Sequence, residues 1–171
     1  MDKGSSDVIS LRRLVKGLRR NCHLFTRENY VCYDRLPYGY AEVREAWIAK
    51  LVQERATVGL VWMPIEGPEA DGTSELAHEQ FDKLAGIDPA NRSREDRLPD
   101  HLFEKIERWL DDSGADDLAK WSHAYLAHAG GPEQRRLISD LTVTANKITD
   151  AAKDLARAAE GISAWLLNAG G

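Results

Sequence analysis

The stretch that decides the fold is residues 141–166, LTVTANKITDAAKDLARAAEGISAWL. Leu141, Ala145, Ile148, Ala152, Leu155, Ala159, Ile162 and Leu166 follow one another at alternating intervals of four and three. These are the a and d positions of a helix that packs along its length. Over the first three heptads a large Leu or Ile alternates with Ala, so a partner helix can come close. That partner is another helix of the same chain or one from a second copy, and the spacing fits both.

Working outward, the chain reads as helices nearly throughout, with no strand alternation. Pro99 and Asp100 start a helix: proline presets the first-turn φ and the carboxylate complements the helix dipole. Leu102, Phe103, Ile106, Trp109 and Leu110 form its buried face, and Asp111 to Gly114 ends it. A fifth helix runs from about Ala115 to His128 and stops at Gly130, Gly131 and Pro132. Upstream, a helix over about Ser74 to Leu84 carries Leu76, Ala77, Phe81 and Leu84 and ends at Gly86, followed by a polar loop, Asp88 to Leu98. Another helix is expected from Ala41 to about Met63, with Val43, Trp47, Leu51, Val58 and Trp62 on one face and Pro64, Gly67 and Pro68 as its stop. Asn29 to Tyr40, rich in Tyr and holding Pro37 and Gly39, reads as a connection whose aromatics pack onto the bundle. The expectation is an all-α fold, one helical bundle of about five to six helices spanning residues 1–171, closed by a long C-terminal packing helix.

Composition agrees with that class. With 171 residues, 43% apolar content, 30% charged residues and five Trp, the chain can bury a core and is not a disordered sequence. The longest apolar runs, Val58 to Met63 and Ala164 to Leu167, are too short to span a bilayer, and Asp2, Lys3 and Asp7 occupy the place of a signal peptide's apolar stretch. A cytoplasmic protein without membrane insertion is expected. Cys22 and Cys32 form no CxxC pattern and read as reduced thiols.

The net charge of −5 argues against a chain-wide attraction to nucleic acid, but the charge is uneven. Arg12, Arg13, Lys16, Arg19 and Arg20 share one face of a helix whose other side carries Val8, Leu11, Leu14, Val15 and Leu18. Such a face is either solvated and balanced by acidic neighbours, a phosphate-binding stripe for RNA, or a membrane-surface helix.

The densest chemistry lies at residues 120–132, KWSHAYLAHAGGP. Trp121, Tyr125 and His128 share a helical face, while His123 points about 140° away from His128. Two diverging histidines without cysteine or carboxylate ligands do not make a zinc site, and no metal or cofactor is expected. His128 falls in the last turn, where the dipole favours imidazolium and the following glycines permit close approach, so it can exchange a proton near neutral pH or cap the helix carbonyls.

The order FDKLAG (Phe81 to Gly86), a charged loop, LPDHLFEKIERWL (Leu98 to Leu110), KWSHAYLAHA and a long closing helix resembles the HEPN superfamily of small helical domains, in particular its AbiU-like abortive-infection branch. The likeness is clearest over residues 76–167, and YLAHA (Tyr125 to Ala129) carries the histidine of the superfamily's Arg-x4-6-His motif. The resemblance implies a prokaryotic antiviral-defence or toxin–antitoxin protein, a homodimer with RNA as ligand and an antitoxin or defence-system protein as partner. It also implies a metal-independent ribonuclease in which the ribose 2′-OH attacks the adjacent phosphate, His128 moves a proton and an arginine steadies phosphate charge. Here the spacing falls on His123, Ser122 and Trp121, so the arginine is missing. Ser122 and His123 are then polar site members and Lys120 a substitute cation, with Arg135 and Arg136 beyond the turn; Lys is a poorer bidentate phosphate clamp than Arg. Two functions follow: an RNA-cleaving defence component with a degenerate site, or a non-catalytic module that binds RNA or a protein partner.

Overall fold

A computed structural model of the chain describes residues 10–54, 62–122 and 143–167. The helices are α1 (Leu11–Arg20), α2 (Arg27–Val31), α3 (Tyr40–Gln53), α4 (Asp71–Ala85), α5 (Asp100–Asp112), α6 (Ala115–Ser122) and α7 (Ala145–Gly161), which continues into one π-helical turn, Ile162–Leu166. The class is all-α, as the periodicity requires; among the described residues the sole β-type contact is an isolated bridge between Thr26 and Arg97. No described helix is long and apolar enough to cross a membrane. The described chain divides into two compact units, Arg20–Asp100 and a bipartite unit built from the residues up to Arg19 together with those from His101 onward.

In the 20–100 unit, α2 and α3 both pack on α4. Thr26 caps α2 by accepting the Asn29 N–H at 3.3 Å. Val31, Leu36, Ala70 and Ala77 form an apolar cluster, and Tyr30 meets Phe81 edge to face at 5.4 Å. The Tyr-rich connection thus does pack its aromatics inward, but it also contains the short helix α2. α4 begins three residues before the expected Ser74, because Asp71 supplies the first-turn carboxylate. It ends where the sequence places its stop: Gly86 adopts a left-handed φ of 68°, and its N–H donates to the Asp82 carbonyl at 2.7 Å. Leu76, expected inside, is 65% exposed, since the inner face of α4 is made by Ser74, Ala77, His78 and Phe81.

α3 is shorter than expected. It closes at Gln53, with the Glu54 N–H on the Lys50 carbonyl, while Trp62 and Met63 are non-helical. Trp62 is 88% exposed, so its helical spacing brings no packing gain. Val58 lies outside the described residues.

In the bipartite unit α5 buries Leu102, Phe103, Ile106 and Leu110 as expected, with Trp109 half-exposed at the edge of that face. Gly114, at φ 67°, turns the chain from α5 into α6, and α6 packs on α7. Thr144 caps α7 by accepting the Lys147 N–H. The buried line of α7 is Ala151, Ala158 and Gly161, joined by Ile162 and Leu166 in the π turn. The heptad seam is therefore offset from the observed core. Ala145, Ile148, Ala152 and Ala159 are exposed, and seam residues enter the core at Ile162 and Leu166. An alanine-rich helix carries two nearly equivalent smooth faces, and Ala151 with Ala158, seven apart, is the one this unit uses.

Candidate functional site

Of the expected active-site residues, Lys120 and Ser122 lie in the last turn of α6, whereas His123 and His128, with Arg135 and Arg136, lie outside the described residues. The Lys120 ammonium is paired with Asp117 at 3.1 Å, and both side chains are largely exposed. Asp117 also lines a cleft of about 280 Å³ with Asp112, Asp150, Asp154 and Lys147. Three of its four carboxylates are paired, Asp117 with Lys120, Asp150 with Lys153 and Asp154 with Arg157, so the cations at its rim are engaged by the cleft's own acids. Among the described residues no group of His, Cys, Asp and Glu is arranged to hold a metal.

The basic helix is divided between internal ties and solvent. Arg12 pairs with Asp111 and Asp116 and donates to the Leu110 carbonyl at 2.8 Å. Arg19 reaches Glu107 at 2.5 Å and Glu104 at 3.4 Å. Arg13, Lys16 and Arg20 are exposed. Arg12 and Arg19 therefore have carboxylate partners on α5 and α6, the balance by acidic neighbours that the sequence allows.

A cluster that local reading passes over sits in the 20–100 unit. Arg27 is fully buried; its guanidinium meets Asp82 at 2.7 Å and Asp96 at 2.8 Å and lies over the Phe81 ring at 4.6 Å. Arg92 closes on the same Asp82 carboxylate at 2.5 and 2.9 Å. His78 Nε2 lies 3.1 Å from the Tyr38 carbonyl, which can only accept, so Nε2 carries the proton. Nδ1 is then the acceptor facing Arg27 Nη1 at 3.4 Å. Burial, with the charges of Arg92 and Arg27, lowers the His78 pKa against the opposing bond to Tyr38. At Asp82 burial alone would raise the pKa, but the hydrogen bonds and charges of Arg92 and Arg27 outweigh it and hold the carboxyl below its usual range. His78 is 2% exposed and Arg27 fully buried, so the centre of the cluster is closed to a ligand and only Arg92 and Asp96 reach its edge. It ties α2, α4 and the 92–98 loop together, helped by backbone bonds from Arg27 N to Asp96 O and from Leu98 N to Phe25 O. The run Asn91 to Arg97 looks like a solvated loop in sequence because the partners of its inward residues, Asp82 for Arg92 and Arg27 for Asp96, lie on other elements, ten and 69 residues away along the chain.

At the surface of the bipartite unit two half-exposed indoles meet. Trp109 and Trp165 have ring centroids 5.3 Å apart, tilted by 48°. The Lys105 ammonium stands 5.3 Å from one ring and 4.9 Å from the other, and the Arg157 guanidinium lies 5.9 Å from Trp109. Sequence reading assigns Trp109 to the core and does not single out Trp165. The signal available was the spacing of Lys105 and Trp109 at i, i+4, whereas the π turn that carries Trp165 leaves no periodic trace.

No protein-family model matches the chain, and neither does any curated protein or any solved structure.

Proposed function

We propose that this chain is an HEPN-like protein of prokaryotic defence or toxin systems that acts on RNA in the cytoplasm as a homodimer, with cleavage weak or absent. The observation that supports the reading is the order of elements over the second half of the chain. FDKLAG closes α4 at a left-handed glycine, LPDHLFEKIERWL leads into and forms α5, Lys120, Trp121 and Ser122 close α6, and a long helix follows. The exposed seam residues Ile148, Ala152 and Ala159 of α7 support a second copy as partner. The non-catalytic alternative, an RNA-binding or antitoxin-binding module, draws on Lys120, whose charge is engaged by Asp117 beside an acidic cleft.

The experiment is a ribonuclease assay of the pure protein on mixed RNAs without metal. Wild type should cleave weakly or not at all. Ser122→Arg, which restores a guanidinium six residues ahead of His128 with five between them, should raise cleavage, and adding His128→Ala should abolish the gain. A folded Ser122→Arg protein without activity leaves the binding module standing. Strong wild-type cleavage lost in His128→Ala means another group already replaces the arginine.

A further inference from the structure

α7 gives up regular helix geometry at one place, and two tryptophans converge there. Gly161 sits at a close approach: a Cβ at this position would come within 3.1 Å of Trp109 Cζ3 and 3.2 Å of Ile106 Cγ1, tight enough that these side chains would have to give by a few tenths of an ångström. The next five residues wind as a π turn, and Trp165 lies within it. Glycine and π geometry each weaken a helix, and π turns are found disproportionately at functional sites. The turn sets Ile162 and Leu166 into the core and leaves both indoles half-buried at its edge.

The charges around the indoles select the ligand. No carboxylate pairs with Lys105 among the described residues; its acidic neighbours Glu104 and Glu107 reach Arg19 instead. Arg157 spends one guanidinium nitrogen on Asp154 at 3.0 Å. The surface therefore offers flat π faces and an uncompensated ammonium on a flexible stem. An apolar ligand would strand the cations, and an acidic peptide would leave the indoles unused. A flat ring joined to a phosphate uses both: the ring stacks on indole while Lys105 swings from the ring faces to the anion.

We propose that Trp109 and Trp165, with Lys105 and Arg157, form a stacking platform for unpaired nucleobases whose phosphates are taken by the two cations. The inference deepens the RNA reading above and rests on it for the choice of a polymer over a free nucleotide.

The test uses the full chain and a fluorescein-labelled oligouridine ten-mer followed by anisotropy, with uridine monophosphate and a duplex of equal length as competitors. A 5-bromouridine version of the oligomer is photocrosslinked to wild-type protein and the adducts are mapped. Binding should weaken about tenfold in Trp165→Leu combined with Lys105→Gln, at unchanged helicity, since each stacked base is worth about that factor or more. The duplex should compete poorly, and crosslinks should fall on the peptides holding Trp109 or Trp165. Monophosphate competing as well as the oligomer keeps the platform and assigns it to free nucleotides. Unchanged affinity in the folded variant, or crosslinks elsewhere, overturns the platform while leaving RNA binding intact. Absence of any binding by wild type overturns both. If the double variant does not fold, the wild-type crosslink map decides alone.

Discussion

Beside its apolar cluster the 20–100 unit buries Arg27, Asp71, Ser74, His78 and Asp82, whereas the bipartite unit buries Val15, Phe103, Ile106 and Ala158 and leaves its described arginines partly or fully exposed. Both are small helical assemblies, yet their interiors are held by different physics. Apolar burial is non-directional and tolerates sliding, while a guanidinium held by Asp82 and Asp96 fits one arrangement of α2, α4 and the loop. The ionic interior gains register at the cost of desolvating charge, and every member depends on the others. The apolar interior spreads its stability over many contacts.

Removing one member of the ionic cluster is the harshest way to break the comparison. Arg27→Ala leaves Asp82 and Asp96 without their central partner, and loss of one side of a buried pair costs about 3–5 kcal/mol. Urea denaturation should show this loss, and Arg27→Met should cost less than Arg27→Ala because it refills the volume over Phe81. A methionine variant as damaged as the alanine one would mean that charge alone, without packing, carries the site.

Acidification sharpens the same contrast. The His78 pKa is lowered in the fold, so between that value and the ordinary imidazole value near 6.5 the unfolded chain binds more protons than the folded one. Stability contributed by neutral His78 is complete above about pH 6.5 and declines as pH falls toward the lowered value. Asp82, also lowered, adds a second loss at more acidic pH, below the ordinary carboxylate value near 3.8. Hydrogen exchange at pH 7.5 and pH 5.5, corrected for intrinsic rates, should show α4 opening more readily at the lower pH and α5 little changed. His78→Gln should flatten the response in α4; an equal response in both helices would sink the assignment to His78.

The smallest effect is expected on the surface of the bipartite unit. Arg12 and Asp111 are 34% and 67% exposed, and exposed pairs contribute about 0–1 kcal/mol. Arg12→Ala should move the urea midpoint slightly, and added salt should shrink the difference further. A loss as large as that of Arg27→Ala would place Arg12 among the structural members of its unit.

Legibility in the sequence follows the same division. The face of α5 and the stop at Gly86 were readable because each depends on residues within one or two turns. The phase of α7 was not, since Ala151–Ala158 and Ala152–Ala159 are equivalent in size and spacing. The partners of Arg27 lie 55 and 69 residues away along the chain, at Asp82 and Asp96, beyond any local window. For the candidate site, Lys120 and Ser122 fall on a helix as read, the helix end expected at His128 lies outside the described residues, and the indole pair escaped notice because the periodic template assumes an unbroken helix.

The π turn after Gly161 also acts as an insertion in phase. A turn that closes on the fifth residue back holds one residue more than its α-helical equivalent. Up to Gly161 the inward positions follow the ordinary helical count, and beyond it Leu166 is inward while Leu167 is 42% exposed. A chain without Ser163 or Ala164 would close the same turn as a plain helix, with the Leu167 N–H reaching the Ile162 carbonyl as the fourth residue back, so Leu166 and Leu167 would keep their inward and outward places. The turn thus takes up one extra residue while the side chains that follow it keep the phase of a plain helix.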